Sequence, residues 1–484
     1  MRALILIALC WLGAASIAFG QSQAEQVYRQ GLAHQQQGRD AEAIAAFREA
    51  LRLQPNYAEA HNALGYSLGR QNDPAGAIAE FKEAIRLQPR LQEAHFRLGV
   101  MHWLTGQYQA AIEPLRTSTR LKPTHLESHF YLGRSLQETG ALREAIAELR
   151  RAAALGPQVA EAHSALGAAL AADEDFDGAI ASLRKALSIR PDLLEARNQL
   201  GLALIQQRNA DAAIAELKQA LALAPNDRAT LHNLGLALMQ KADYTAAIET
   251  YRQLLALASD DAEAHYNLGL AFKYKDDFEG AVAAFRRSIE LQPGLQEAHY
   301  SLGVTLLQLS RIDEAADAFR GAVAAKPDFA EAHYMLGTAL QQKGDLAGAV
   351  GEFRTAIRLA PLSPQYHNTL GNALRQQGDL AAARAEFAEA ARLNKLKSDS
   401  QAAMFAVNIG IQKLKEGKLN EAIERLTEAV KLDPNNAQAH YHLSLAWKKK
   451  GNLAASRASL KRARELDPRL GTINPEAKEE FQQD

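Results

Sequence analysis

The feature that most constrains the fold of this chain is a sequence period of 34 residues. One column of the period holds a proline or its substitute in every unit: Pro55, Pro89, Pro123, Pro157, Pro191, Pro225, Ser259, Pro293, Pro327, Pro361, Lys395, Pro434 and Pro468. Only the interval from Lys395 to Pro434 is longer, by five residues. A period of this length indicates stacked copies of one small unit, because such a unit cannot bury its apolar side alone.

Three further columns keep the same period as the prolines. Ten units carry Leu-Gly near their start, as in Leu336-Gly337, and a small residue such as Ala349 twelve residues after the glycine. Four residues later comes a large apolar residue such as Phe353. Small residues let two helices cross closely, and large ones fill the space beside the crossing. With only 6% aromatic residues and much Ala and Leu, the composition also favours helices over sheets.

The combined pattern, H-x2-L-G-x2-L, then A-x3-F, then P, resembles the tetratricopeptide repeat, with His where that family often has Trp. The resemblance covers thirteen repeats from Ala24 to Leu470. It implies an all-α fold, a right-handed superhelical α-solenoid of helix-turn-helix repeats. It also implies that the first helix of each repeat lines a concave groove, which takes up an extended peptide or a partner's helix.

The repeats divide the chain into segments. Residues 24–397 hold eleven tandem repeats and residues 403–470 hold two more, which are rich in lysine. Between them, the insertion at 398–402 is a candidate hinge. Residues 471–484 follow as a C-terminal cap or tail, in which Asn474-Pro475 opens a short polar helix. None of these features specifies an oligomeric state.

Residues 1–20 are typical of an export signal, because Arg2 precedes an apolar stretch from Ala3 to Leu12 and small residues follow as far as Gly20. We therefore expect an exported chain, periplasmic or secreted, with no stable membrane span after signal removal. The alternative is an uncleaved signal that anchors the chain in the inner membrane. The single cysteine, Cys10, lies in this segment, so the mature chain is expected to lack disulfides.

Turn residues predict where the helices end and begin. Seven glycines between the two helices of a repeat are expected to take a positive φ: Gly38, Gly106, Gly140, Gly344, Gly378, Gly417 and Gly451. Ahead of four first helices, an Asn or Asp stands three residues before a Glu, the spacing of a capping box. These pairs are Asn56 and Glu59, Asp192 and Glu195, Asp260 and Glu263, and Asp328 and Glu331. An acidic binding surface is the alternative interpretation of this Glu column.

Several classes of chemistry find no support in the sequence. It contains no H-E-x-x-H, no phosphate-binding G-x-x-x-x-G-K loop and no cysteine pair. A net charge of -1 gives no basic excess for tracking nucleic acid. His440 and His442 are the nearest approach to a metal site, but alternate helical residues point away from each other. We therefore expect no enzyme activity, no metal, no cofactor and no nucleic-acid partner.

A histidine recurs in the first helix of most repeats: His61, His95, His129, His163, His265, His299, His333, His367 and His440. The expected role is packing between adjacent first helices with a bond to a neighbour. The alternative is a ladder of imidazoles that binds metal or titrates near neutral pH.

The residue after each of these histidines is expected to face the groove, and it is often aromatic: Phe96, Phe130, Tyr266, Tyr300, Tyr334 and Tyr441. Packing within the repeat is the alternative role for this row. Farther along the same helices, an apolar floor is predicted in repeats five to seven: Ala168, Ala171, Leu202, Ile205, Leu236 and Met239. The following stretch is polar: Lys273, Tyr274, Gln308, Gln341 and Arg375.

Together these features predict a non-catalytic scaffold or adaptor of the cell envelope that binds a peptide or helix of another protein in its groove. One alternative is a periplasmic holdase-type chaperone that uses the apolar floor. Another is an accessory repeat subunit of a glycosyltransferase or polysaccharide-export complex.

Overall fold

A computed structural model describes residues 23–471, and this part of the chain is helical without any β-strand. The export signal with Cys10 and the polar helix expected at Asn474 lie outside the described residues. The helices are α1 (23–36), α2 (Asp40–Leu53), α3 (Ala58–Arg70), α4 (Pro74–Leu87), α5 (Gln92–Leu104), α6 (Tyr108–Leu121), α7 (Leu126–Glu138), α8 (Leu142–Leu155), α9 (Ala160–Ala172), α10 (Phe176–Ile189), α11 (Leu194–Gln206), α12 (Ala210–Leu223), α13 (Arg228–Gln240), α14 (Tyr244–Leu257), α15 (Ala262–Tyr274), α16 (Phe278–Leu291), α17 (Gln296–Gln308), α18 (Ile312–Ala325), α19 (Ala330–Lys343), α20 (Leu346–Leu359), α21 (Pro364–Gln377), α22 (Leu380–Lys415), α23 (Leu419–Leu432), α24 (Ala437–Lys449), α25 (Leu453–Leu466) and a 3-10 turn at Pro468–Gly471.

Each repeat is a pair of antiparallel helices joined by a short turn, as the sequence period predicts. The turn holds one residue in the left-handed conformation, and all seven predicted glycines take a positive φ there. Six other repeats hold a non-glycine residue in the same conformation, at Asn72, Glu174, Arg208, Ala242, Asp276 and Ser310. The turn geometry is therefore set by the packing of the helix pair, and glycine only makes it less strained.

The helix caps differ from the prediction. Asn56, Asp192 and Asp328 are not the N-caps of α3, α11 and α19; the N-caps are Tyr57, Leu193 and Phe329, one residue later, without a side-chain cap bond. Before α15 the N-cap is Asp261 in place of Asp260, and its carboxylate accepts a hydrogen bond from the N–H of Ala264. Large apolar side chains at this position pack against the preceding repeat, as the ring of Tyr57 does at 4.9 Å from Tyr28. Burying such a side chain stabilises by about 1.5–3 kcal/mol, more than the roughly 1 kcal/mol of a cap.

Polar caps precede four first helices and are more frequent before the second helices. In eight of them an Asp or Asn accepts a hydrogen bond from the backbone N–H three residues later: Asp73, Asp175, Asn209, Asp243, Asp277, Asp345, Asp379 and Asn452. The residues that follow the left-handed turn therefore start a second helix with its first N–H groups satisfied.

The core of each repeat is the glycine of the first helix facing the large residue of the second. A Cβ added at Gly337 would lie 2.7 Å from the ring of Phe353, and Phe353 is fully buried. The same pairing recurs at Gly65 with Phe81 and Gly303 with Phe319. The Leu-Gly and Phe columns thus mark one tight helix crossing, as predicted.

The insertion between repeats eleven and twelve is helical. A single helix of 36 residues, α22, contains residues 398–402 and joins the second helix of repeat eleven to the first helix of repeat twelve. The added residues take the place of the loop found between other repeats. Hinge motion at this point stays a prediction.

The helices group into two compact units, one ending at Lys275 and the other starting at Asp276. Within each unit, first helices of several neighbouring repeats contact each other directly, whereas packing between consecutive second helices is weaker throughout the described residues. The side on which neighbouring elements lie closer is the inner side of a curve. The first helices therefore line the concave side of each unit. From 23 to 471, no helix combines the length and the apolar character that crossing a membrane requires.

Candidate protein-binding surface

The concave side of the first unit carries two grooves between neighbouring first helices. The first, named here the aromatic groove, lies between α3 and α5 and has a volume of about 420 Å³. Its walls are Tyr66, Gly69, Arg70, Phe81, Glu93, Phe96, Arg97, Val100, Met101 and Leu104. Leu104 is 62% exposed and Tyr66 is 39% exposed, so two large side chains face solvent here.

An ion pair and a cation–π contact hold the side chain of Arg97 in the aromatic groove. The guanidinium carbon of Arg97 lies 4.5 Å from the centre of the Tyr66 ring, and its Nε lies 2.9 Å from the Glu93 carboxylate. Nη1 of Arg97 also donates to the carbonyl oxygen of Asn62 at 3.4 Å, so these contacts hold the guanidinium in place over the ring. The groove therefore combines apolar walls with an oriented cation.

Next to this groove, α5 and α7 present polar groups without partners. The indole of Trp103 packs 5.2 Å from Tyr131, and the guanidinium of Arg134 lies 5.9 Å from the indole ring. Trp103 Nε1, Arg134 Nε and Gln137 Oε1 are shielded from solvent and find no hydrogen-bond partner among the described residues. Leaving such groups unpaired costs about 1–3 kcal/mol each, and because these atoms are shielded they offer no direct contact to a ligand in this conformation.

The second groove, named here the apolar groove, lies between α9 and α11 and has a volume of about 520 Å³. It is lined by Ala168, Ala171, Ala172, Glu174, Phe176, Gln199, Leu202, Ala203 and Gln206. The alanines leave space that larger residues fill elsewhere, and Leu202 is 41% exposed beside them. Three residues of the predicted floor, Ala168, Ala171 and Leu202, thus lie together in one cleft. The others, Ile205, Leu236 and Met239, are partly buried on α11 and α13.

The predicted aromatic row is half-buried and packs within the protein. Phe96 meets the ring of His125 edge-on at 4.8 Å, and Phe130 meets Tyr131 at 5.2 Å. Tyr266, on α15, is also partly buried. Tyr441 departs from the prediction: it is only 9% exposed and packs against Leu460 and Ala463 of the last helix, so it offers no contact surface.

In the second unit, Tyr300 and Tyr334 also combine exposure with packing. Tyr300 lies 5.9 Å from Phe319, and burial together with nearby Glu331 raises the pKa of its hydroxyl. Tyr334 lies 5.8 Å from Phe353 and stacks at 4.7 Å on Tyr366. Both rings are partly buried and pack within their repeats, so the packing role is present, and a contact role for them stays a prediction.

The polar stretch after the apolar floor has two distinct members on α15. Lys273 is half-buried, and this burial lowers the pKa of its ammonium group. Tyr274 is 57% exposed and stacks 5.4 Å from Tyr244. The exposed face of Tyr274 is therefore available to a partner.

The sequence analysis missed Tyr66, Arg97, Val100 and Leu104. A signal was present, because Tyr66 and Val100 stand four residues after the row that follows the histidines, one helical turn along the same face. Arg97 gave no periodic signal, since the residue at its position changes character from repeat to repeat.

In nine repeats, the histidine of this column bonds a backbone carbonyl of the loop before its helix, and this contact clamps the helix to the loop. In His61, Nε2 lies 3.0 Å from the carbonyl oxygen of Pro55 and Nδ1 lies 2.6 Å from the Glu80 carboxylate. Both partners only accept hydrogen bonds, so the ring satisfies both with a proton on each nitrogen. Although burial acts the other way, these bonds raise the pKa of His61.

The same clamp recurs with variations. Three more histidines bridge a proline carbonyl and a glutamate: His129, His333 and His367. In repeat six Arg197 takes this place and bonds Glu216 at 2.7 Å and the Pro191 carbonyl at 2.6 Å. A neighbour-bonding role for the column, as expected from the sequence, matches these contacts.

One short motif of catalytic type lies in the chain. Residues 65–69 spell G-x-S-x-G, but they lie inside α3, and Ser67 is fully buried with its hydroxyl 2.8 Å from Gln35 Nε2. A nucleophilic serine of this motif needs an exposed position on a strand-to-helix turn. The motif here is part of the helix packing.

Paired helices stacked in series with a concave side of first helices define the class: an α-helical repeat protein of the solenoid type. Models of the tetratricopeptide repeat match residues 62–125, 131–193, 266–330 and 334–403, and related models match 31–72, 235–275, 412–451 and 170–238. The chain belongs to the tetratricopeptide repeat family. Proteins of this family are generally non-catalytic, and the repeats make this chain a scaffold for protein–protein interaction.

Three solved structures similar to this chain are shorter than it. MamA is 31% identical, with 33% of this chain and 94% of MamA covered and a TM-score of 0.32. YrrB, described as a TPR protein with an unusual peptide-binding site, is 21% identical, covering 39% and 96% with a TM-score of 0.35. PilF of Pseudomonas aeruginosa is 21% identical, covering 43% and 94% with a TM-score of 0.38. A comparison with curated proteins found no match.

Proposed function

We propose that this chain is a non-catalytic adaptor of the cell envelope that binds an extended peptide or a helix of a partner protein along the first helices of repeats two to six. The main support for this proposal is that two grooves lie on the concave side of the first unit. Leu104 is exposed in the aromatic groove and Leu202 is exposed in the apolar groove. Apolar side chains left exposed on an otherwise polar surface favour a binding role.

The two grooves suit different parts of one ligand. The apolar groove offers alanines and Leu202 to an aliphatic side chain. In the aromatic groove, the guanidinium of Arg97 suits carbonyl or carboxylate oxygens. The expected ligand is therefore a segment with apolar side chains and free backbone carbonyls, as an extended peptide presents. The envelope location rests on the sequence of residues 1–20 alone.

A cross-linking pull-down with the full chain as bait tests this proposal. Leu104→Asp and Leu202→Asp place a charge in each groove at positions exposed in the fold, so both variants should keep their helical circular dichroism. We expect the proteins captured by the unaltered chain to be lost from both variants. Replacing Tyr300 or Tyr334 would be a poorer test, because these rings also pack on Phe319 and Phe353.

The matched control is Leu257→Asp, since Leu257 is 44% exposed at the end of a second helix, away from both grooves. This variant should capture the same proteins as the unaltered chain. An unchanged set of captured proteins in the two groove variants would reject the assignment. Fractionation of the native cell tests the location, and recovery in the cytoplasm would contradict the envelope proposal.

A further inference from the structure

Two side-chain positions in each repeat are buried when a neighbouring repeat packs against that repeat, so their solvent exposure shows whether such a neighbour is present. The third residue of each repeat is fully buried in most repeats that follow another: Ala60, Ala94, Ser128, Ala162, Ala196, Thr230, Ala264, Ala298, Ala332 and Ala439. Tyr366, in repeat eleven, is 8% exposed at the same position. The large residue of the second helix is likewise at most 1% exposed at Phe47, Phe81, Leu115, Leu149, Leu183, Leu217, Tyr251, Phe285, Phe319, Phe353 and Leu426.

Repeats eleven and twelve break this rule where they meet. The third residue of repeat twelve is Phe405, which is 69% exposed, and the adjacent Met404 is 59% exposed. In the first repeat the same position holds Gln26, a polar residue that is exposed without cost. On the other side, Phe387 of repeat eleven is only partly buried. The faces of repeats eleven and twelve that a regular junction would bring together are therefore both apolar and incompletely buried.

A further residue shows that repeat eleven ends as a terminal repeat does. Leu380, at the start of its second helix, is 55% exposed, close to the 46% of Leu453 in the last repeat. The equivalent Leu346 and Leu419 are partly buried. The far side of repeat eleven thus lacks the cover that a following repeat normally gives.

The cause is the continuous helix α22. At a regular junction a short connection, such as residues 360–363 between α20 and α21, turns the chain back so that the two helices pack side by side. In α22 the corresponding halves lie end to end on one helix about 54 Å long. They cannot pack on each other, so one chain carries the two separated halves of a repeat–repeat interface.

We propose that a second copy of this chain fills both faces, in a two-fold dimer that exchanges repeats twelve and thirteen. The midpoint of Leu380–Lys415 falls between Lys397 and Ser398. An axis through this point sets two α22 helices antiparallel, so that the repeat-eleven half of one lies beside the repeat-twelve half of the other. Each half then has the antiparallel neighbour that a regular junction provides, and the interface is the same on both subunits.

Several observations favour a second copy over an unrelated partner. The two open faces are complementary by construction, since elsewhere in the same chain such faces stack on each other. Within residues 23–471 each of these two junction faces occurs once, which a two-fold pair satisfies with none of the two left over. The exposed Leu396, close to the axis, would also gain cover from its counterpart. This inference does not depend on the proposed function.

Multi-angle light scattering of the full chain tests the proposal. The unaltered chain should have twice its own mass, and Phe405→Asp should reduce this to the mass of one chain. Because Phe405 is exposed in the single chain, the helical circular dichroism of the variant should not change. The matched control Leu362→Asp alters a residue that is 72% exposed in the loop before α21, and its dimer should persist.

A second variant tests the junction by interrupting the continuous helix α22. Ser398→Pro removes a helical hydrogen bond at the midpoint of α22 and disfavours the continuous helix. Repeat twelve can then fold back onto repeat eleven, so we expect a monomer. An unaltered chain that stays monomeric from low to high micromolar concentration would overturn the proposal. A dimer that survives Phe405→Asp, or a monomer that captures only a different protein through Phe405, would overturn it equally.

Discussion

At the scale of single residues, a few contacts recur with the period and fix the geometry of every repeat. Gly337 is one of them, because the ring of Phe353 occupies the space where a side chain would start. Gly351, on the second helix of the same repeat, has no atom within 4 Å of an added Cβ. Two helical glycines in one repeat therefore differ only in what surrounds them.

We predict opposite effects for the two alanine substitutions. Gly337→Ala forces an overpacked crossing and should destabilise by about 1–3 kcal/mol. Gly351→Ala should stabilise by roughly 0.5–1 kcal/mol, because alanine has the better helix propensity and no contact is disturbed. The urea midpoint of unfolding measures both. Equal shifts in the same direction would mean that the crossing is looser than described.

His61 should make stability depend on pH. Its folded-state pKa is raised through the bonds to Glu80 and Pro55. Because the folded state binds the proton more tightly, the clamp stabilises fully below the unfolded pKa of about 6.5, and this contribution is lost as pH rises through the folded pKa. We expect His61→Gln to lower the urea midpoint more at about pH 5.5 than at about pH 8.5.

The control for this prediction exists in the chain itself. Arg197 fills the same clamp with a permanent charge. His61→Arg should therefore remove the pH dependence that His61 contributes while keeping the bonds. A midpoint difference between His61→Gln and the unaltered chain that is the same at both pH values would contradict the assignment.

At the scale of helices, the two members of a repeat start in different ways. Six first helices begin behind a large apolar residue such as Tyr57 without a side-chain cap bond, whereas eight second helices begin behind a capping Asp or Asn such as Asp345. The element start is thus determined by tertiary packing in one case and by local hydrogen bonding in the other.

Removing a cap from a second helix should have a local and moderate effect. Asp345 accepts a hydrogen bond of 2.9 Å from the N–H of Gly348. Asp345→Ala should destabilise by about 1 kcal/mol, and Asp345→Asn, which keeps an acceptor, by much less. Thermal unfolding followed by circular dichroism compares the two. Equal losses for both variants would assign the effect to charge and not to the cap bond.

At the scale of the whole molecule, each repeat is stabilised mainly by the repeats beside it. The stability of such a chain is a sum of contributions from the repeats and from the interfaces between neighbouring repeats. A destabilising substitution therefore affects mainly its own repeat and the repeats next to it. Within the first unit, α9 and α10 pack on each other and α10 packs on α11.

We therefore predict a local response to a core truncation. Leu183, fully buried in α10, should cost about 2–5 kcal/mol when replaced by Ala. Hydrogen exchange measured by mass spectrometry should become faster in α9 to α12 and stay unchanged in α19 to α21. Faster exchange along the whole chain would show a single cooperative core in place of a repeat array.

The sequence by itself determined the period, the helix pairs, the tight crossing of Gly337 on Phe353 and the family, because these depend on spacings within one repeat. The tertiary structure decided which side chains stay exposed. Tyr441 and Tyr274 belong to the same predicted contact set, yet one is buried by the last helix and the other faces solvent. Exposure depends on a neighbour 34 residues away and on whether the chain turns back to meet it, as the continuous α22 and bare Phe405 show.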